Sequence, residues 1–132
     1  MLIRPNPLVS EVLGCAIAVH QELGPGLLES AYVRCLQLQF QSAGLPFAAE
    51  VPVPIVFQDT AIPCAYRADF VIQDTLLVEL KSVSRLERVH HAQVLTYLRL
   101  LRLTESLLIN FNVPLLKQGV RRFPSVDPRP ST

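Results

Sequence analysis

The sequence predicts a single α/β domain in which helices flank a β-sheet. Three observations predict it. Apolar residues recur at helical spacing up to about residue 43, and from residue 47 they alternate at strand spacing. Helical spacing returns between residues 86 and 101, followed by one more apolar strand. The chain has 132 residues, the usual size of one domain with one core, and shows neither an internal repeat nor a linker. The domain is therefore expected over residues 1–124. Residues 125–132, polar and proline-rich, are expected to be a frayed tail.

Asn6 followed by Pro7 reads as an N-cap with proline at the first helical position. Leu8, Val12, Cys15, Ala16, Val19 and Leu23 carry the apolar stripe of that first helix, and Gly24-Pro25-Gly26 ends it. A second helix is expected from about Leu28 to Ala43, with Leu28, Ala31, Tyr32, Cys35, Leu36 and Phe40 on one face and Gly44 at its end. Phe47, Ala49, Val51, Val53, Ile55 and Phe57 then alternate as a strand. Pro52 and Pro54 on its other face cannot donate to a ladder, so it should lie at a sheet edge.

Gln58-Asp59-Thr60 reads as a turn, with a second strand from about Cys64 to Ile72. Gln73-Asp74-Thr75 is another turn, with a third strand from Leu76 to Val83. The unbroken apolar run Leu76, Leu77, Val78, Leu80 suggests a central strand covered on both faces. A third helix over about Leu86 to Leu101 permits a parallel crossover into a strand at Leu107–Phe111. Val120–Phe123 would add a short last strand. The expected order is α-α-β-β-β-α-β with that optional strand.

Composition excludes several classes. Half the residues are hydrophobic and 17% are charged, so the chain as a whole is not disordered. No apolar run reaches the ~18 residues of a membrane span. The N-terminus shows no secretion signal, so a cytoplasmic location is expected. Cys15, Cys35 and Cys64 are far apart and lie among apolar residues. They are expected to be buried free thiols rather than metal ligands. Residues 1–80 carry 3 basic and 8 acidic residues, whereas residues 81–132 carry 9 basic and 3 acidic. That division could set a cation site beside a surface that attracts phosphate, or it could be a mixed solvated surface.

The turn centred on Asp74 organises the candidate site. It places residues whose numbers sum to 148 opposite each other, and Asp69 and Glu79 are such a pair. Two carboxylates on adjacent strands would then stand about 5 Å apart, an arrangement that is destabilising unless compensated. A hard divalent cation is the natural compensation. Lys81, two residues after Glu79, projects from the same face. The alternative is a surface carboxylate pair neutralised by Lys81, but Glu79 interrupts an apolar run where a lone charge is costly. Glu29 begins the second helix, where an acid also suits the helix dipole. His90, Gln93 and Tyr97 share one face of the third helix, either as a buried hydrogen-bond network or as groups that orient water, Lys81 or a phosphate. Arg85 and Arg88, just past Lys81, are candidate phosphate contacts.

Gly26-Leu27-Leu28-Glu29-Ser30-Ala31-Tyr32 resembles the signature of the GxxExxY family, and His20-Gln21-Glu22-Leu23-Gly24-Pro25 resembles its lead-in. Tyr66-Arg67-Ala68-Asp69-Phe70, Val78-Glu79-Leu80-Lys81, His90 with Ala92-Gln93, Tyr97-Leu98, and Leu108 through Leu115 resemble its later blocks in order. The resemblance spans about residues 8–123. That family is grouped with the PD-(D/E)XK nucleases, so the resemblance implies a restriction-endonuclease-like mixed sheet flanked by helices. It also implies that Asp69 and Glu79 are metal ligands, with Glu29 as an added acidic ligand, and that Lys81 is the catalytic lysine. Gln93 and Tyr97 are similar to the Gln-x-x-x-Tyr pair of the exonuclease-like branch. Ala68 stands where the proline of the superfamily motif would be.

The expected function is metal-dependent hydrolysis of phosphodiester bonds in nucleic acid, DNA in the first instance, with Mg2+ or Mn2+ as cofactor. The competing expectation is a non-catalytic nucleic-acid-binding or regulatory module that keeps the nuclease fold. A chain this short has little room for recognition insertions, so a second copy or a larger partner could supply them.

Overall fold

The computed structural model describes residues 5–63 and 66–124. The expected tail at 125–132 and Cys64 lie outside the described residues. Two helices, α1 (Pro7–Leu23) and α2 (Glu29–Ser42), precede strands β1 (Ala48–Pro52), β2 (Ile55–Phe57), β3 (Thr60–Ile62), β4 (Arg67–Ile72) and β5 (Leu76–Lys81). Helix α3 (Arg88–Leu100), β6 (Glu105–Asn110), a 3-10 turn (Leu116–Gly119) and β7 (Val120–Pro124) follow. The main sheet has the order β1-β4-β5-β6-β7. The β5–β6 pair is parallel and its other pairs are antiparallel. This is the mixed sheet flanked by helices that the sequence predicts. β5 lies at its centre.

Local chemistry explains the boundaries. The Asn6 side chain accepts the Leu8 N–H at 2.9 Å, and Pro7 takes the first helical place, so α1 starts as predicted. The α3 end is closed by Leu103 N–H to Leu98 O (3.0 Å) and Arg102 N–H to Arg99 O (3.1 Å), with Arg102 left-handed at φ 57°. In the β4–β5 hairpin, Gln73 and Asp74 are left-handed and Thr75 N–H bonds Ile72 O at 3.1 Å. The pairs Phe70↔Val78, Val71↔Leu77 and Ile72↔Leu76 all follow the predicted register.

Two apolar clusters sandwich the sheet. One joins Val12, Ala16, Tyr32, Leu36 and Phe40 of α1 and α2 to Phe70, Val78, Leu80, Leu107 and Ile109. The other joins Val94, Tyr97 and Leu98 of α3 to Val71, Leu77 and Leu108. The alternation along β5 and β6 is what a strand covered on both faces requires. Among the described residues no helix is long and apolar enough to cross a membrane.

The structure corrects several details; Cys35, expected as a buried thiol, is only half-buried, and Leu23 at the end of the α1 stripe is exposed. The single strand expected over 47–57 is divided. Only Ala48–Pro52 joins the main sheet as its edge, while Ile55–Phe57 turns through left-handed Gln58 and Asp59 to pair with Thr60–Ile62 as a separate hairpin. Five strands therefore precede α3 rather than three. Pro54 gives the physical reason, because it has no N–H to continue the ladder. Leu28, expected on the buried stripe of α2, is instead 77% exposed just before the helix begins.

Candidate active site

The site forms where the β4–β5 and β1–β4 ladders are both interrupted. Register is constant along β1–β4, with Ala49↔Phe70 on one side and Val51↔Ala68 on the other. The residues between, Glu50 and Asp69, are outside the ladder, and Glu50 has a left-handed φ of 51°. Residues two apart on a strand normally share a face. Here Ala49 and Phe70 pack with the α1–α2 cluster, whereas Val51 and Ala68 pack with the α3 cluster. Both strands therefore turn over at this point, and Asp69 reaches β5 while lining the cavity on the α2 side.

There it meets Glu79. The Asp69 N–H donates to Glu79 Oε1 at 2.6 Å, and the Leu80 N–H donates to Asp69 Oδ2 at 2.8 Å. The two strands exchange carboxylate bonds where the next backbone ladder bonds would fall. Glu79 is buried at 3% exposure. Burial pushes the Asp69 carboxyl up to about 6, against the Leu80 N–H, which holds it down. Burial and then repulsion from Asp69 push Glu79 up to about 8. Glu29 raises both groups and Lys81 lowers both, so these four charged side chains share one electrostatic environment.

The surrounding elements hold each group in place. Glu29 is the first residue of α2. The loop before it bends at Gly26, whose φ of 101° is open to glycine and strained for other residues. Tyr32 fastens that loop: its hydroxyl donates to Gly24 O at 2.5 Å and accepts the Leu27 N–H at 3.2 Å, while its ring stacks on Phe111 at 4.6 Å. Ser82 Oγ donates to Leu27 O at 2.5 Å, tying the loop to the residue after Lys81. Buried Asn110 then clasps Val83, accepting its N–H at 3.1 Å and donating to its carbonyl at 2.9 Å. The Phe111 N–H bonds Lys81 O at 2.9 Å. The backbone that carries Lys81 is therefore fixed from β6 and from the loop leading into α2.

Tyr97 is buried on α3 and receives the Gln93 amide N–H on its hydroxyl at 3.3 Å. Burial and then the negative charge of Glu79 raise its pKa. The Gln93–Tyr97 pair thus reaches the carboxylates from the α3 side. Glu29 and Asp69, with Glu50, line a cavity of about 470 Å³ on the α2 side. His90 serves the helix start, since its Nδ1 accepts the Glu87 N–H at 2.9 Å. Arg85 is exposed and lies 3.9 Å from Glu87, an ion pair of small energetic weight, and Arg88 is exposed at the first turn of α3.

A family model of the PD-(D/E)XK nuclease superfamily matches residues 6–123. The chain belongs to the PD-(D/E)XK nuclease superfamily. No curated protein and no solved structure matches it.

In this superfamily member the donor set suits a hard divalent ion. Buried Glu79 and half-buried Asp69 lie side by side with their charged forms disfavoured, and oxygen ligands are what hard divalent ions take. No group of three His, Cys, Asp or Glu side chains is gathered for a metal among the described residues. A hard divalent ion can be held by one or two carboxylates with waters completing its shell. Glu50 was missed from the sequence, because nothing in an alternating strand marks the position where the chain turns over. Ser82 and Asn110 were missed as well. An asparagine in an otherwise apolar run, Leu107-Leu108-Ile109-Asn110-Phe111, was the available signal.

Proposed function

We propose that this chain is a magnesium- or manganese-dependent nuclease that hydrolyses phosphodiester bonds of nucleic acid, DNA in the first instance. The observation that carries the reading is the reciprocal lock at the open end of the β4–β5 ladder. It holds two acids in place through each other's strand, with a lysine two residues further on. A purely structural pair would gain nothing from placing two acids where burial disfavours their charged forms.

In this reading Asp69 and Glu79 would hold the metal, with Glu29 adding negative charge from the α2 side. A divalent ion held there would supply a water of lowered pKa and stabilise charge on the scissile phosphate. The Lys81 ammonium orients the attacking water and offsets the charge that develops on phosphate oxygen. Gln93 occupies the Tyr97 oxygen as a donor, which leaves the Tyr97 proton free to bond toward Glu79 or the substrate. Arg85 and Arg88 contact flanking phosphates. So does His90 through Nε2, since its Nδ1 accepts the Glu87 N–H. Membership of the GxxExxY group belongs to the same reading. It is supported by Gly26 at the bend, Glu29 beside the acids and Tyr32 as the fastener of the loop between them.

The test is cleavage of single- and double-stranded DNA and RNA with magnesium or manganese, by wild type and Lys81→Ala. Wild type is expected to cleave and the variant to be slower by about 100-fold or more, the scale of losing one transition-state contact. Equal cleavage by both would refute the assignment. Binding of nucleic acid without cleavage would make the chain a binding module.

A further inference from the structure

Ile55 of β2 and Tyr66 face α3 across an open groove of about 390 Å³, with Val89, Gln93, Thr96 and Tyr97 among its lining residues. It adjoins the site because Gln93 and Tyr97 belong to both. We propose that this groove is a nucleobase-stacking subsite, with Tyr66 as the platform, and that the substrate must therefore present an unpaired base beside the scissile phosphate. The proposal rests on the nuclease reading above.

Four observations support it. Tyr66 is 54% exposed, yet its backbone is fixed, its carbonyl accepting the Val53 N–H at 3.0 Å. Its ring meets Tyr97 edge-on at 6.5 Å and 60°, so one aromatic face is braced by a second ring while the residue stays open to solvent. Val89, 67% exposed, and Ile55 supply apolar walls, and Gln93 and Thr96 place an amide and a hydroxyl where base edges could bond. The charge pattern is also right. No acidic residue lines this groove among the described residues, whereas three line the cavity on the α2 side. The α3 helix that forms one wall also carries exposed Arg88 and Arg99. An aromatic surface bordered by cations is the combination that holds single strands, with stacking for the base and cations for the backbone. A base inside a duplex has no free face, so it would have to leave the stack to reach Tyr66.

The experiment measures binding by fluorescence anisotropy in a Lys81→Ala background, using a labelled single-stranded DNA, the matching single-stranded RNA and the blunt duplex. A parallel DNA series carries one abasic position at each site in turn. Tyr66→Ala is expected to weaken single-strand binding about tenfold, the order of one lost stacked base. Tyr66→Phe should restore it, and the duplex should bind more weakly than either single strand. One abasic position should reproduce the loss and add nothing further in Tyr66→Ala. The DNA and RNA arms decide which strand is preferred. If Tyr66→Ala binds single strands as the parent does, or if the abasic and Tyr66 losses simply add, the subsite is refuted, while cleavage by the wild type would leave the nuclease reading intact. If Tyr66-dependent binding is found but the wild type never cleaves, the subsite stands and the nuclease reading fails. Tyr66 is largely exposed, so an unchanged melting temperature separates lost binding from lost folding.

Discussion

Replacing Glu79 with glutamine is expected to stabilise the metal-free protein at alkaline pH. Glu79 has its carboxyl raised from an ordinary 4.5 to about 8, first by burial and then by Asp69. Below pH 4.5 the folded and unfolded chains both hold the proton, and the site costs nothing. Between 4.5 and 8 the unfolded chain releases it while the folded chain keeps it, so stability falls as pH rises. At about 1.4 kcal/mol per tenfold change, the ceiling of that loss is about 5 kcal/mol above pH 8. This is a large share of the ~5–15 kcal/mol that holds a domain of this size. Asp69, raised to about 6, adds a smaller fall at lower pH. Glutamine keeps an oxygen to accept the Asp69 N–H and removes the charge. The assay is thermal unfolding from pH 4 to 9 in chelator, where each kcal/mol shifts the midpoint by about 4 °C. Wild type should lose stability toward pH 8, and Glu79→Gln should be nearly flat above pH 7. Manganese should raise the wild-type midpoint, by about 2.7 kcal/mol at a hundred times its dissociation constant, and leave the variant unmoved. Parallel pH curves for the two proteins would refute the electrostatic account.

Three further substitutions probe the supports of the site. Tyr32→Phe keeps the stack on Phe111 but removes the hydroxyl that bridges Gly24 and Leu27; a loss of about 1–2 kcal/mol is expected in urea denaturation. Asn110→Ala releases both bonds to Val83 and the one from the Asn112 N–H, leaving the half-buried Val83 N–H without that acceptor and its carbonyl with Asn112 Nδ2 alone. It is expected to cost about 2–3 kcal/mol in urea and to slow cleavage by moving Lys81, with an unchanged rate showing that the clasp does not position the lysine. Gly119→Ala would bring a methyl to 2.1 Å from the Asn110 carbonyl oxygen. The 3-10 turn must then move off β6, and a drop in midpoint of about 10 °C or failure to fold is expected in a thermal scan.

How much of this was legible depended on which interactions are local. The β4–β5 register was readable because a turn at Gln73-Asp74 and apolar runs on both sides leave one pairing that buries both faces, and Phe70↔Val78 follows from it. The start of α1 was readable because Asn6 and Pro7 act within one turn. The turnover at Glu50 and Asp69 was not, since it depends on β1 and β4 reversing together while their register stays constant. For that reason Asp69 and Glu79, expected as a cross-strand pair on one face, are instead linked through each other's backbone. The use of His90 at the helix start was hidden as well, because the face it shares with Gln93 and Tyr97 drew attention to the site rather than to the helix end.

The turnover on β1 has a consequence for the free molecule. An edge strand offers unpaired backbone groups on which another chain can lengthen the sheet. On β1 the left-handed Glu50 breaks the straight run, its charged side chain is exposed, and Pro52 removes a donor two residues on. Little uninterrupted template is left for an invading strand. The same distortion that brings Asp69 to Glu79 also protects the exposed border of the sheet against self-association.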